Sequence, residues 1–230
     1  MCIRDSRFRG VGDRPHEVIA NIVREGSEAE RSPESRFVLG LVGVVPRGKR
    51  LDRALDVLAR LRAEDDRYSL RIKGRMPSDY PWMLAREDEM AYYERQWRRI
   101  ETDPALAGAV HLDGFSADRD ELDRWYSGIG VALSVSDFES FHFTLVDGAQ
   151  NGAVPLALAW PGADRLFPET WVHATVPEMA ADILTLREAD AFEARAAAAR
   201  REVAERFDGG TALERWSRMV REVASDDTQC

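Results

Sequence analysis

The chain has 230 residues, of which 44% are hydrophobic, a composition that favours a folded protein over an intrinsically disordered one. Its formal net charge of −9 comes from 41 acidic and 32 basic residues that are interleaved along the chain, which disfavours a nucleic-acid partner. No apolar run approaches the roughly 20 residues needed to cross a bilayer, and the N-terminus lacks the apolar core of a signal peptide, so we expect a cytoplasmic protein.

The two ends of the chain differ in composition from its middle. Residues 1–8 match nothing that follows and are typical of non-native N-terminal sequence, so the fold prediction begins after them. Residues 9–36 include a polar, charged stretch with a glycine and a proline, which predicts an interdomain linker region. The two cysteines, Cys2 and Cys230, have no histidine or cysteine near them at metal-ligand spacing, which predicts neither a disulfide framework nor a zinc site.

Residues 37–188 alternate between strand and helix patterns. The apolar run 37–45 predicts a central parallel strand, and leucines at three- and four-residue steps then predict an amphipathic helix up to residue 63. Later elements are predicted as strands 68–72, 109–112, 131–134 and 153–159 and helices 86–101, 119–126 and 143–151. This order predicts an α/β fold, a Rossmann-like doubly wound parallel sheet flanked by helices, with ligands at the carboxyl ends of its strands.

Residues 189–230 are predicted to form a C-terminal helical extension, because no strand pattern returns after residue 177. We expect its helices to be interrupted at Gly209 and Gly210. The helices carry two apolar stripes that need a surface to pack against. The first consists of Ala191, Phe192, Val203 and Phe207, and the second of Leu213, Trp216, Met219 and Val220.

The segment 134–155 holds the residues best suited to chemistry. A strand ends there, a loop turns and a helix begins, so the free N–H groups and the dipole at the helix N-terminus suit an anion such as a diphosphate. Glu139 in the loop and Asp147 in the helix could accept hydrogen bonds from sugar and ribose hydroxyls. In a chain with 41 acidic residues the spacing of this pair alone carries little weight.

The context of the two acids resembles the signature of family 4 glycosyltransferases. In that family two glutamates separated by seven residues are followed by Ala-Met-x-x-Gly-x-Pro. Here Ser-x-x-x-Glu leads through an aromatic turn to Asp147, then to a helix end with small residues and to Val154-Pro155. The family has the GT-B fold of two Rossmann-like halves, and the resemblance covers residues 37–186, which correspond to the nucleotide-sugar-binding C-terminal half.

The resemblance implies a retaining hexosyltransferase of bacterial-type glycan biosynthesis, which moves a hexose from a UDP- or GDP-linked donor to an acceptor. The acceptor site and any peripheral membrane contact would lie in a missing N-terminal half, so the isolated fragment is expected to be inactive. In the two-half fold the last helix crosses back onto the N-terminal half. Its apolar stripe is therefore expected to be exposed here and to promote self-association.

A second segment, residues 43–49, is similar to the family's Gly-Arg-Leu motif with a lysine after it, whose two cations hold the donor diphosphate. Gly43 occupies the glycine position and Lys49 the lysine position, where it would supply a point charge for a phosphate. Val44 stands where the family has arginine. The second cation is therefore missing unless Arg47 replaces it.

The resemblance also implies a role for each residue of the site. Glu139 would hold sugar hydroxyls and, with Lys49, would be catalytic, while Asp147 would hold the ribose with a side chain one methylene shorter than the family's glutamate. The predicted donor-binding residues are Gly43, Arg47, Lys49, Gly114, Phe115, Glu139, His142, Phe143, Thr144 and Asp147.

Within this set, the N–H groups near Phe143 and Thr144 would bind the diphosphate, and His142 stands where the family has glycine. Gly114 and Phe115 match the strand end beside the nucleotide base, with a role in the core as the competing interpretation of Phe115. For His142, ordinary loop hydrogen bonds are favoured over a general-base role, although the ordinary pKa of histidine lies near neutrality.

No cofactor is predicted, and no metal is implied because no Asp-x-Asp motif lies in the site region. Two alternative functions remain. A nucleotide-sugar 2-epimerase-like enzyme would need further catalytic residues, which the sequence does not show. A non-catalytic nucleotide-sugar-binding or scaffold module would explain the residues at positions 44 and 147 as marks of lost activity.

Overall fold

A computed structural model of the protein describes residues 31–226 together with Asn21, Val23 and Gly26. The predicted non-native residues 1–8, both cysteines and most of the predicted linker 9–36 lie outside the described residues. The limits assigned to the donor domain, 37–188, and to the helical extension, 189–230, stay predictions.

The core of the molecule is a six-stranded sheet in which neighbouring strands are parallel, which confirms the predicted Rossmann-like fold. Its strands are β1 (Val38–Val42), β2 (Ser69–Lys73), β3 (Val110–Leu112), β4 (Val131–Ser134), β5 (Val154–Leu158) and β6 (Val172–His173). They lie in the order β3-β2-β1-β4-β5-β6, so the chain winds outward from β1 in one direction and, from β4, in the other. The loops that follow β1 and β4 therefore open onto one crevice.

Helices cover both faces of the sheet. They are α1 (Leu51–Glu64), α2 (Pro81–Leu84), α3 (Glu87–Thr102), α4 (Arg119–Ser127), α5 (Phe143–Gln150), α6 (Ala163–Leu166), α7 (Val176–Thr185), α8 (Ala189–Arg206) and α9 (Gly209–Asp226). The main core cluster lies between the sheet and α1, α3 and α7, whereas α4 and α5 cover the other face and α8 contributes to both sides. Across the described part of the chain, no helix is long and apolar enough to span a membrane.

Small residues lie at two points of close approach on the face that carries α4 and α5. A Cβ atom at Gly40 of β1 would lie 2.1 Å from the Cδ1 atom of Ile129, and one at Gly148 of α5 would lie 2.5 Å from the Cβ atom of Ala132. Interiors are close-packed, so larger residues at these positions would push the neighbouring segments away. Small residues therefore set how closely α5 lies on the sheet.

Three of the differences from the predicted elements have a clear local cause. The predicted strand 37–45 is shorter because Gly43, with φ +75°, ends β1. The two-residue strand β6 has no predicted counterpart, since so short a segment shows no alternation. The break between the last two helices precedes Gly209, because the N–H of Thr211 donates to the Asp208 carboxylate at 2.7 Å and this bond caps α9.

The two predicted apolar stripes differ in burial. Of the first stripe, Phe192, Val203 and Phe207 on and after α8 are buried. On α9, in contrast, Leu213, Trp216 and Val220 are 57%, 46% and 60% exposed. The expected exposure of the second stripe is thus confirmed for these three residues.

Candidate functional site

Most of the residues predicted to form a site lie at the carboxyl edge of the sheet, where β1 and β4 are neighbours. Residues 43–50 follow β1 and residues 135–142 follow β4. The two loops touch, because the N–H of Asp137 donates to the carbonyl of Gly48 at 2.9 Å. This is the point where the winding direction of the chain reverses, which is the usual ligand position in such a sheet.

The first loop divides between the core and the site. Val44 is fully buried, and its carbonyl accepts a hydrogen bond from the Tyr93 hydroxyl at 2.7 Å. The exposed guanidinium of Arg47 lies 5.2 Å from the centre of the Tyr92 ring. Two cations of this loop reach the second loop, Lys49 at Glu139 and Arg50 at Asp137, whereas Arg47 lies against Tyr92 of α3.

A carboxylate with two hydrogen-bond donors forms the centre of the site. Oε1 of Glu139 accepts hydrogen bonds from Nζ of Lys49 and from Oγ of Ser136, both at 2.6 Å. Burial acts to raise the pKa of the Glu139 carboxyl, but His142, Lys49 and Ser136 together bring that pKa below its ordinary value. The site thus presents an ionised carboxylate and a cation side by side at neutral pH.

His142 closes the second loop with an unusual backbone. Its φ of +60° lies in the left-handed region that favours glycine. The side chain folds inward, with Nδ1 2.5 Å from Oγ of Ser134 and Nε2 3.7 Å from Oε1 of Glu139. Burial lowers the pKa of the imidazole to about 4, so it is neutral at pH 7 and too weak a base for the general-base role.

Helix α5 begins beside this cluster with an N-terminus suited to an anion. His142, at the N-cap position, makes no side-chain hydrogen bond to the first turn. Phe143 is 47% exposed, whereas Thr144 is buried and its side chain is hydrogen-bonded to that of Tyr126. The main-chain N–H of Leu145 donates to the carbonyl of His142 at 3.2 Å, so the N–H groups of Phe143 and Thr144, aided by the helix dipole, are the ones left for a phosphate.

Asp147 lies one turn further along α5 and is paired with an arginine that the sequence did not indicate. Nη1 and Nη2 of Arg119 donate to its two carboxylate oxygens at 3.1 and 2.9 Å. This pairing raises the pKa of Arg119, and the Asp147 side chain is buried. Each carboxylate oxygen has a second lone pair, so the pairing leaves acceptor capacity for a hydroxyl.

Gly114 and Phe115 lie at the same edge of the sheet, but beyond β3. The carbonyl of Gly114, a residue with φ +64°, accepts a hydrogen bond from the N–H of Gly74 at 2.8 Å. Phe115 is 55% exposed, so the competing interpretation of this residue as part of the core is wrong.

The structure brings Lys49, Glu139 and His142 into one cluster beside α5, and it adds Ser136 and Arg119. Ser136 has a sequence signal, since it lies three residues before Glu139 in the same loop. Arg119 has none, because it reaches Asp147 across 28 residues of sequence. Within the ranges that the structure covers, no group of three histidine, cysteine or acidic side chains could hold a metal ion.

Solved glycosyltransferase structures have the architecture described above. S. aureus TarM superposes with a TM-score of 0.67 and 17% identity over 87% of this chain. Anabaena HepE, solved with UDP and glucose, superposes with a TM-score of 0.65 and 19% identity over 81% of this chain. The C-terminal domain of the group 1 glycosyl transferase LpcC from Francisella tularensis superposes with a TM-score of 0.62 and 12% identity over 80% of this chain. The fold is that of a GT-B C-terminal domain.

The neighbours differ in the share of their own length that this chain spans. This chain spans 38% of the length of TarM and 48% of HepE, but 95% of the isolated LpcC domain. No protein-family model matches the sequence, and no curated protein matches it. At 12–19% identity the likeness shows the fold.

Proposed function

We propose that this chain forms the donor-binding half of a retaining, family 4-like glycosyltransferase, which transfers a hexose from a nucleoside diphosphate sugar. The observation that carries the proposal is the contact of Lys49 with Glu139 beside the N-terminus of α5. The GT-B fold supports it, and so do the similar structures that were solved with UDP.

Each part of the cluster has a distinct chemical task in this proposal. Negative charge develops on the leaving diphosphate as the bond to the sugar breaks, and Lys49 and the first-turn N–H groups of α5 would stabilise that charge. Glu139 would accept hydrogen bonds from sugar hydroxyls and orient the ring. Asp147, held by Arg119, would accept a hydrogen bond from a ribose hydroxyl. The acceptor would be bound by a second half.

Calorimetric titration with UDP, GDP, UDP-glucose and GDP-mannose tests the donor site. We expect one base series to bind, and Lys49→Ala and Glu139→Gln each to weaken binding of the nucleotide sugar about tenfold or more, as for lost charge-assisted hydrogen bonds. Arg60→Ala and Glu94→Gln, exposed on α1 and α3, are matched controls for loss of charge. Unchanged affinity in both site variants, with circular dichroism showing an intact fold, would refute the assignment.

The burial of Val44 favours one competing function, a donor-binding module without catalysis, because the second cation is absent from its position. The contacts of Arg47 distinguish a catalytic donor-binding half from a donor-binding module without catalysis. If it leaves Tyr92 and turns to the diphosphate, Arg47→Ala will weaken UDP binding and leave uridine binding unchanged. Equal UDP affinity in the variant would mean that Arg47 does not supply the second cation, and it would favour the non-catalytic module.

A further inference from the structure

Three glycines form a ledge without side chains at the carboxyl ends of β1, β2 and β3. Gly43, Gly74 and Gly114 have φ values of +75°, +138° and +64° and each follows one of these adjacent strands. Main-chain hydrogen bonds of 2.8 Å run from the N–H of Gly43 to Lys73 and from the N–H of Gly74 to Gly114. A Cβ atom at Gly43 or Gly114 would meet nothing within 4 Å, so the glycine ledge is open.

An arginine and an aromatic ring stand together at the outer end of the glycine ledge. Arg75 follows Gly74 and Phe115 follows Gly114, and the guanidinium carbon of Arg75 lies 4.4 Å from the centre of the Phe115 ring. Both side chains are exposed. No carboxylate of the described residues forms an ion pair with Arg75. The guanidinium of Arg75 thus packs on the Phe115 ring, and its N–H donors can bind a ligand.

The distance from the candidate diphosphate site makes this pair suitable for a base and not for a phosphate. Lys49 and α5 flank β1 and β4, whereas Phe115 follows β3, two strands away from β1. Adjacent strands lie about 4.8 Å apart, so the offset across the ledge is about 10 Å. A ribose and a base together bridge a separation of this size when the diphosphate lies beside Lys49.

We infer that Arg75 is a specificity-determining residue that reads the base of the nucleotide, an inference that rests on the proposed function. The base lies on the glycine ledge beside Phe115, and the Arg75 guanidinium donates a hydrogen bond to a carbonyl oxygen on the edge of the base. Arginine has only donors, so it matches O4 of uracil or O6 of guanine. At the equivalent positions cytosine and adenine carry amino groups, which are donors too.

Titration of the same protein with UDP, GDP, CDP and ADP tests this inference. We expect the wild type to prefer UDP or GDP, and Arg75→Ala to lower affinity for the preferred nucleotide about tenfold, the effect of one lost charge-assisted hydrogen bond. Affinities for CDP and ADP should stay unchanged, so the preference for UDP or GDP over these two nucleotides should be lost. Arg60→Ala serves as the control for loss of an exposed arginine, and Phe115→Leu should weaken binding of every nucleotide by removing the ring.

The possible results separate this inference from the proposed function. Binding by the wild type with an unaltered base preference in Arg75→Ala overturns the role of Arg75 alone. An equal loss for all four nucleotides also overturns it, because Arg75 would then contact a group that they share. No nucleotide binding by the folded wild type overturns the proposed function and, with it, this inference.

Discussion

At the scale of single residues, His142 links backbone conformation to pH dependence. Its pKa lies at about 4 in the folded protein, below the ordinary value of 6.5. Between these values the unfolded chain binds a proton that the folded protein does not bind. The stability contributed by a neutral His142 is therefore complete above pH 6.5 and is lost as the pH falls towards 4.

We predict that the unfolding free energy of a His142→Asn variant depends less on pH in this range. Asparagine tolerates the positive φ at this position. Between pH 7 and pH 5 the wild type should lose about 2 kcal/mol more unfolding free energy than the variant, as the shifted pKa requires. Urea unfolding of both proteins at the two pH values measures the difference. His111→Asn, at an exposed histidine of β3, is the control. Equal losses in the wild type and His142→Asn would show that His142 does not titrate as described.

The pairing of Arg119 with Asp147 predicts strong coupling between the two side chains. Arg119→Met leaves a buried carboxylate without its partner, so we expect a loss of about 3 kcal/mol of unfolding free energy. Asp147→Asn in the same chain removes the stranded charge and should restore a large part of that loss. Chemical unfolding of the wild type, both single variants and the double variant measures the coupling. Additive effects of the two substitutions would contradict the pairing.

The arrangement of the site residues could be predicted from the sequence only in part. Lys49 and Glu139 lie together as their motifs require, because each follows the end of a strand and the two strands are neighbours. The burial of Val44 and the partner of Asp147 could not be predicted. Both depend on segments, around Tyr93 and Arg119, whose contacts with the site arise from packing between distant parts of the chain.

At the scale of elements, the position of α5 depends on the small residues between it and β4. Gly148→Ala would bring a new Cβ atom within 2.5 Å of the Cβ atom of Ala132. Alanine improves helix propensity by about 1 kcal/mol, but overpacking costs about 1–3 kcal/mol, so we expect net destabilisation of about 1 kcal/mol. Thermal or urea unfolding measures it.

A second substitution separates packing from other effects at this position. Ala132→Gly removes the atom that the new methyl group would strike, so it should cost less in the Gly148→Ala background than in the wild type. Gly210→Ala in α9 is the matched helix glycine, since its nearest contact is the flexible Asp208 side chain at 3.3 Å. A Gly148→Ala protein as stable as Gly210→Ala would mean that α5 shifts without cost.

The alternation of strands and helices was predictable because it is written in local periodicity. The buried strands β1, β4 and β5 are apolar runs, and the amphipathic helices repeat their apolar residues at three- and four-residue steps. Strand β6 and the start of α9 were missed. The first is too short to show a period, and the second depends on the Asp208 cap outweighing the helix-breaking tendency of two glycines.

At the scale of the whole molecule, the exposed stripe of α9 predicts self-association. Leu213, Trp216 and Val220 lie on one face of the helix and are about half exposed. We expect the apparent mass in light scattering to rise with protein concentration, and Leu213→Gln/Val220→Gln to reduce that rise, because less apolar surface is then available for burial. The pair Glu214→Gln/Arg221→Gln, which alters α9 without changing net charge or the stripe, is the control. A monodisperse monomer that binds no apolar dye would contradict the prediction.

The sequence by itself determined the fold class and the edge of the sheet that carries the site. Parallel strands end at one edge, so residues that follow β1 and β4 converge once the alternation of strands and helices is known. Tertiary structure alone decided which side chains pair there. It placed Arg119 on Asp147, Arg75 on Phe115 and Arg47 on Tyr92. These contacts join segments that are far apart in sequence, so they depend on how closely the helices and loops pack, and local periodicity does not encode that spacing.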